Sequence, residues 1–193
     1  DLFSQLQPHL DSEQVVLSIM AGIPIAGISH ALGVQKIIRA MPNLPAQIGM
    51  GMTVFTSAPA ITRIELVTVQ NLLNTTGKSI YVENESMIDA ATAISGSGPA
   101  YVFYFMRSMM ESAASMGFST SESELLVSQT FLGAIELYMK SDFSCAEWIQ
   151  KVASRGGTTE AALASFTEHT VNTHIGIGLE EARLRAEALG KSS

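Results

Sequence analysis

The sequence predicts a chain in two parts: a portion of an open α/β sheet, then an all-helical region. Up to Glu85, short β-branched apolar runs alternate with segments of helical periodicity. After Glu85 no run reads as a strand. Composition adds a third observation. Of 193 residues, 47% are hydrophobic and only 15% are charged, so apolar surface is left over once one core is filled. That surplus points to burial between subunits.

Residues 1–10 read as a helix that Asp1 can cap and whose last turn Pro8 disturbs. Gln14–Met20 is a short apolar, β-branched run and reads as a buried strand, followed directly by Ala21-Gly22. Pro24–Leu32 is helical and Gly33 stops it. Lys36–Met41 is the next strand, broken by Pro42-Asn43-Leu44-Pro45. Met52–Ser57 is a third strand, Ile61–Thr75 a helix closed by Gly77, and Ser79–Glu83 a last short strand. In open α/β sheets ligands sit beyond the carboxyl ends of the strands. Ala21-Gly22 and Met41-Pro42-Asn43 lie at such ends, where small residues let a planar ligand approach the backbone; a pair of plain strand-exit turns fits them too.

In the second part, Met87–Ile94 is helical and is interrupted by Ser95-Gly96-Ser97-Gly98-Pro99. Ala100–Met116 resumes with apolar residues round most of its circumference, which predicts burial on nearly all sides and a second subunit to supply it. Gly117 ends it. Ser119/Glu122 and Ser121/Glu124 are overlapping capping boxes, either of which can start the helix to Lys140. Ser141–Ala146 is a connection and Glu147–Ala153 a short helix. A final helix, about His174 to Leu189, carries Glu181 and Arg185 on a solvated face.

Several chemistries find no support. The net charge of −7 and the lack of a Lys/Arg run argue against nucleic acid as partner. The longest apolar stretch contains Arg107 and is too short for a bilayer. A single cysteine, Cys145, fits a reducing cytoplasm. No HExxH, CxxC or carboxylate cluster occurs, so no metal is expected. Three Gly-x-Gly pairs lack the third glycine of a dinucleotide fingerprint, and no GxSxG elbow is present.

One loop carries chemistry of its own. Ser154-Arg155-Gly156-Gly157-Thr158-Thr159 precedes a helix start at Glu160–Phe166. Exposed N–H groups, two hydroxyls and a helix N-terminus together suit a small carboxylate; a tight turn with a helix cap is the plainer reading.

Three stretches, in this order and spacing, resemble pyrroline-5-carboxylate reductases: Met41-Pro42-Asn43-Leu44-Pro45-Ala46, Ala93–Tyr101 (AISGSGPAY), and Val152–Thr159 with Glu160-Ala161-Ala162-Leu163. The resemblance covers essentially the whole chain. It implies an NADPH- or NADH-dependent reduction of 1-pyrroline-5-carboxylate to L-proline in the cytoplasm. It also implies that residues 1–85 are the second half of a Rossmann domain, the part carrying GxGxxG lying upstream. Residues 86–193 would be a helical domain that interlocks into dimers, which in the family often build decamers.

The resemblance assigns roles residue by residue. Gly156, Gly157 and Thr158 offer N–H groups to the substrate carboxylate with help from Ser154, and Thr159 places a hydroxyl near the ring nitrogen. Glu85 favours the iminium form, Thr92 and Ser97 line the pocket from the dimer side, and Ala21, Gly22, Pro42 and Asn43 border the nicotinamide. Arg155 stands where the family often has proline. The competing expectation is a non-catalytic oligomerising scaffold that keeps only a residual carboxylate or proline pocket.

Overall fold

A computed structural model describes residues 2–191; Asp1, the expected cap of the first helix, lies outside the described residues. The chain divides into two units. The first runs to Pro99 and is rejoined from Gly178 onward; the second is Ala100–Ile177. The boundary expected after Glu85 thus falls inside the first unit. The helix that follows Glu85 packs on the sheet and belongs with it.

The first unit is built on four strands: β1 (Val16–Ser18), β2 (Ile37–Met41), β3 (Gly51–Ser57) and β4 (Gly77–Tyr81). Their order in the sheet is their order in the chain. β1 pairs parallel with β2, β2 antiparallel with β3, and β3 parallel with β4. Helix α1 (Leu2–Leu6) passes into a 3-10 turn at Gln7–His9, where Pro8 interrupts the α geometry. Helix α2 (Ile25–Leu32) starts after Pro24 and ends at Gly33, whose φ of 71° is the left-handed stop the sequence announces. Helix α3 (Arg63–Leu73) starts in a complete capping box formed by Thr62 and Glu65.

Alternation along β2 sends its side chains to two cores. Ile37 joins Ile28, Leu32, Val34 and Ala58 on one face. Ile38 and Ala40 join Phe55, Val69 and Leu73 on the other. Both faces are covered, which explains why KIIRAM reads as a continuous run rather than an alternating one.

Helix α4 (Ser86–Ala91) continues through a π-turn, Thr92–Gly96, into α5 (Gly98–Ser115). The small-residue stretch after Ile94 therefore bends the helix without ending it: Ser97 N–H reaches back five residues to Thr92 C=O at 2.9 Å. Helix α6 (Thr120–Met139) uses the Ser119/Glu122 box. Helix α7 (Cys145–Val152) starts earlier than expected, in a third box made by Ser144 and Glu147. Helices α8 (Thr158–Glu168) and α9 (Val171–Lys191) follow. On α9 Glu181 and Arg185 are exposed as expected, while the ion pairs run from Arg183 to Glu180 and Glu187.

Within this chain α5 is not covered: it has no buried residue, and Phe103 and Tyr104 are each 59% exposed. Helices α7 and α8 have none either. The apolar circumference is real, but the second unit alone lacks the mass to enclose it. Among the described residues no helix is long and apolar enough to cross a membrane.

Candidate functional site

Two neighbouring strand exits form the first element of the site. Ser18 lies in register with Arg39 on parallel strands, so Ala21 and Pro42, three residues further on, leave the sheet at the same level. Ala21 is exposed; Pro42 and Asn43 are half-buried. Gly22 faces elsewhere, buried against α9, where a Cβ would stand 2.8 Å from Leu189 Cβ. Asn43 is extended, and its carboxamide reaches in two directions: Oδ1 accepts from Met52 N–H at 2.8 Å and Nδ2 donates to Ser95 C=O at 3.0 Å.

The second element is a buried charge cluster that sequence reasoning missed. Arg39 is 2% exposed, in mid-β2. One terminal nitrogen meets Glu85 at 3.1 Å and the other meets Asp89 at 2.8 Å. Glu85 Oε1 also accepts from Ile25 N–H at 2.7 Å, so it caps the N-terminus of α2. A charge this deep survives only when paired, and the two acids one turn apart on α4 pair it. The signal was an arginine inside an otherwise apolar strand, with Glu85 and Asp89 at i,i+4. Glu85 also lines an open cavity of about 870 Å³ together with His30, Thr56 and Glu83.

The π-turn presents Thr92 and Ser97. Thr92 Oγ1 donates to Ile88 C=O at 2.8 Å, which leaves the hydroxyl to any other partner only as an acceptor. Both residues are half-buried.

The second unit carries a candidate element of its own. Between α7 and α8 the loop turns at Gly156, φ 71°, and Gly157 becomes the N-cap of α8. At Gly157 an added Cβ would come 2.4 Å from Ser154 Oγ and 3.0 Å from its carbonyl oxygen, so a side chain here would displace Ser154. Gly157 N–H donates to Ser154 C=O at 2.9 Å, and Gly156 N–H donates to the Glu160 carboxylate at 2.6 Å. Because the N-cap is glycine, α8 lacks the side-chain cap that α3, α6 and α7 have. The N–H groups of Thr158, Thr159 and Glu160 are then the first-turn donors left without an intrahelical partner. Thr159 is half-buried and Thr158 exposed. Arg155 is exposed, with no ion pair among the described residues.

The structure thus brings Ala21, Pro42, Asn43, Glu85, Thr92 and Ser97 into the first unit, and Ser154, Gly156, Gly157, Thr158 and Thr159 into one loop of the second. Among the described residues no group of three or more His, Cys, Asp or Glu is placed to hold a metal.

Known proteins match nearly the whole of this chain. A family model described as pyrroline-5-carboxylate reductase dimerisation matches residues 85–189. The pyrroline-5-carboxylate reductase of Pseudomonas aeruginosa is 35% identical over 187 residues, covering 96% of this chain and 68% of its own length. That of Vibrio alginolyticus is 33% identical over 193 residues, covering 99% of this chain and 71% of its own length. The crystal structure of Plasmodium falciparum pyrroline carboxylate reductase with NADP bound superposes with a TM-score of 0.90 at 30% identity, over 97% of this chain and 75% of that one. The Coxiella burnetii pyrroline-5-carboxylate reductase gives a TM-score of 0.89 at 31% identity, over 97% and 70%.

Proposed function

The chain belongs to the pyrroline-5-carboxylate reductase family, and on that premise we propose that it reduces 1-pyrroline-5-carboxylate to L-proline with a hydride from NADPH or NADH. It is an NAD(P)H-dependent oxidoreductase, and its helical region is a dimerisation region. The observation that carries the reading is the 35% identity to a reductase across 96% of the chain. The scaffold alternative is not favoured by it.

A nicotinamide held at the strand-exit edge would supply the hydride; the chain's own residues orient, neutralise and exclude water. Ala21, Pro42 and Asn43 are assigned to the nicotinamide edge, and the shared level of the two strand exits supports this; Gly22, assigned with them, contributes only the backbone turn after Ala21, since its Cα packs against α9. Ser154, Gly156, Gly157 and Thr158 are assigned to the substrate carboxylate. Gly156 reaches it only by giving up Glu160, an exchange of one carboxylate for another. The Thr158 N–H needs no such exchange, and the positive end of α8 favours an anion there.

Thr159 is assigned as the catalytic positioner at the ring nitrogen. A threonine hydroxyl has no useful acid pKa, so it orients a protonated imine rather than supplying the proton. Glu85, with Oε1 held by Ile25 and Arg39, keeps Oε2 for the iminium charge, which makes the carbon a better hydride acceptor. Thr92, its proton committed to Ile88, acts as an acceptor beside Ser97.

Residues 1–85 are assigned to nucleotide binding and 86–193 to substrate binding and dimerisation; the family match beginning at residue 85 supports that division. Assembly of dimers into a decamer and residence in the cytoplasm complete the proposal. Neither nucleic acid nor a membrane has a place in it.

Steady-state oxidation of NAD(P)H with 1-pyrroline-5-carboxylate tests the reading. Thr159→Ala is expected to lose about 1–3 kcal/mol of transition-state stabilisation, roughly ten- to a hundred-fold in kcat/KM. Unchanged kcat/KM removes Thr159 from the mechanism. A wild-type chain that binds proline without turnover restores the scaffold alternative.

A further inference from the structure

Both bonds of the Asn43 carboxamide replace one that the backbone cannot make. In the antiparallel ladder Met41 stands opposite Val54, so Asn43 comes opposite Met52. β2 has ended at Met41, and Asn43 Oδ1 takes the next N–H of β3 in its place. On the other side, Ser95 lies in the π-turn. In a continuing α-helix its carbonyl would accept from the N–H of residue 99, and residue 99 is proline, which has none. Asn43 Nδ2 is the donor that fills this gap. Beside it Gly96 lets Met41 come close; a Cβ on Gly96 would lie 2.9 Å from Met41 Cε. The strand exit and the π-turn therefore meet at two adjoining points.

Resting on the reductase reading above, we propose that Asn43 is a positioning residue that ties the nicotinamide-side exit of β2 to the π-turn carrying Thr92 and Ser97. One carboxamide then holds cofactor-side and substrate-side groups of the first unit at a single spacing. Hydride transfer is sensitive to that spacing, since a misplacement of about 1 Å can cost as much as a hundredfold in rate. The same bond explains why a proline is tolerated inside a nearly continuous helix: its missing donor is supplied from the sheet.

The test uses the full chain, with two readouts. Asn43→Ala is expected to lower kcat about tenfold and leave KM for NAD(P)H and for the imine within about twofold. By amide hydrogen exchange, Ser97, which closes the π-turn on Thr92, is expected to exchange faster in the variant. Adding Pro99→Ala restores an N–H within reach of Ser95. The double variant is expected to recover much of the lost rate and protection, while Pro99→Ala alone changes kcat by less than about twofold. Asn43→Asp keeps an acceptor for Met52 and puts a carboxylate oxygen in place of the donor to Ser95, so it reproduces the phenotype if Asn43→Ala folds poorly. A loss confined to KM for the nucleotide makes Asn43 a direct ligand and overturns the proposal. So does unchanged exchange at Ser97, or no rescue by Pro99→Ala. A wild-type chain without turnover ends the reductase reading instead, and the exchange arm still decides the tie between Asn43 and Ser95.

Discussion

The two units of this chain solve the burial problem in opposite ways. The first encloses its own core: Phe55, Ile28, Ile37 and Ile38 are all fully buried, on two faces of one sheet. The second encloses almost nothing. Its helices α5, α7 and α8 have no buried residue, while large apolar side chains such as Phe103, Tyr104, Leu125 and Ile135 face outward. A sheet with helices on both faces is a closed arrangement, whereas a set of amphipathic helices is closed only when enough of them meet. The dimerisation match over residues 85–189 identifies the missing partner as a second copy. The first unit buries its apolar side chains by itself; the second leaves most of its own for association.

The sharpest way to break that contrast is to delete one aromatic from each unit. Phe55→Ala is expected to cost about 3–5 kcal/mol, independent of protein concentration, in denaturant unfolding. Phe103→Asp is expected to shift sedimentation toward monomer and make the melting temperature depend on concentration. A Phe103→Asp chain that stays dimeric removes α5 from the interface.

A smaller effect tests what fastens α4 to the sheet. Arg39→Ala strands Glu85 and Asp89 without their cation and is expected to cost about 2–4 kcal/mol, discounted because Glu85 is partly exposed. Arg39→Met, measured beside it, separates loss of packing from loss of charge.

The smallest effect is in the acid limb. Hydrogen bonds from Thr62, first its N–H and then its hydroxyl, together with Lys36 hold the Glu65 carboxyl down to about 2. Glu122 and Glu147 are also lowered, by Ser119 and Ser144 alone. A depressed carboxyl contributes stability that is whole above its unfolded value of 4.5 and lost as pH falls through its folded value. Glu65→Gln is therefore expected to flatten the fall in melting temperature between about pH 4.5 and 2, by a degree or two, and Glu122→Gln by less. At the other end Lys36, raised chiefly by its hydrogen bond to Glu13, contributes stability present below 10.5 and lost above it.

Much of this molecule was legible in advance. The strands, the Gly33 stop, the Thr159 loop and the surplus of apolar surface all rest on interactions within a few residues or on composition. The Ser144/Glu147 box is equally local, although Ser141–Ala146 reads as a plain connection. The two overlapping boxes at Ser119 and Ser121 were locally equivalent, and the choice fell to Ser119 once the helix began at Thr120 and put Ser121 inside it.

What the residues alone determined, then, is the order of elements, their caps, the motif-bearing loops and the need for a partner. Periodicity and capping act over one or two turns, and they are written where they act. The tertiary structure alone decided which distant groups meet. Arg39 finds Glu85 and Asp89 across 46 and 50 residues, and Asn43 finds Ser95 across 52. Those meetings depend on strand register and on where α4 lies over the sheet, and a one-residue slip along β2 would turn Arg39 to the other face.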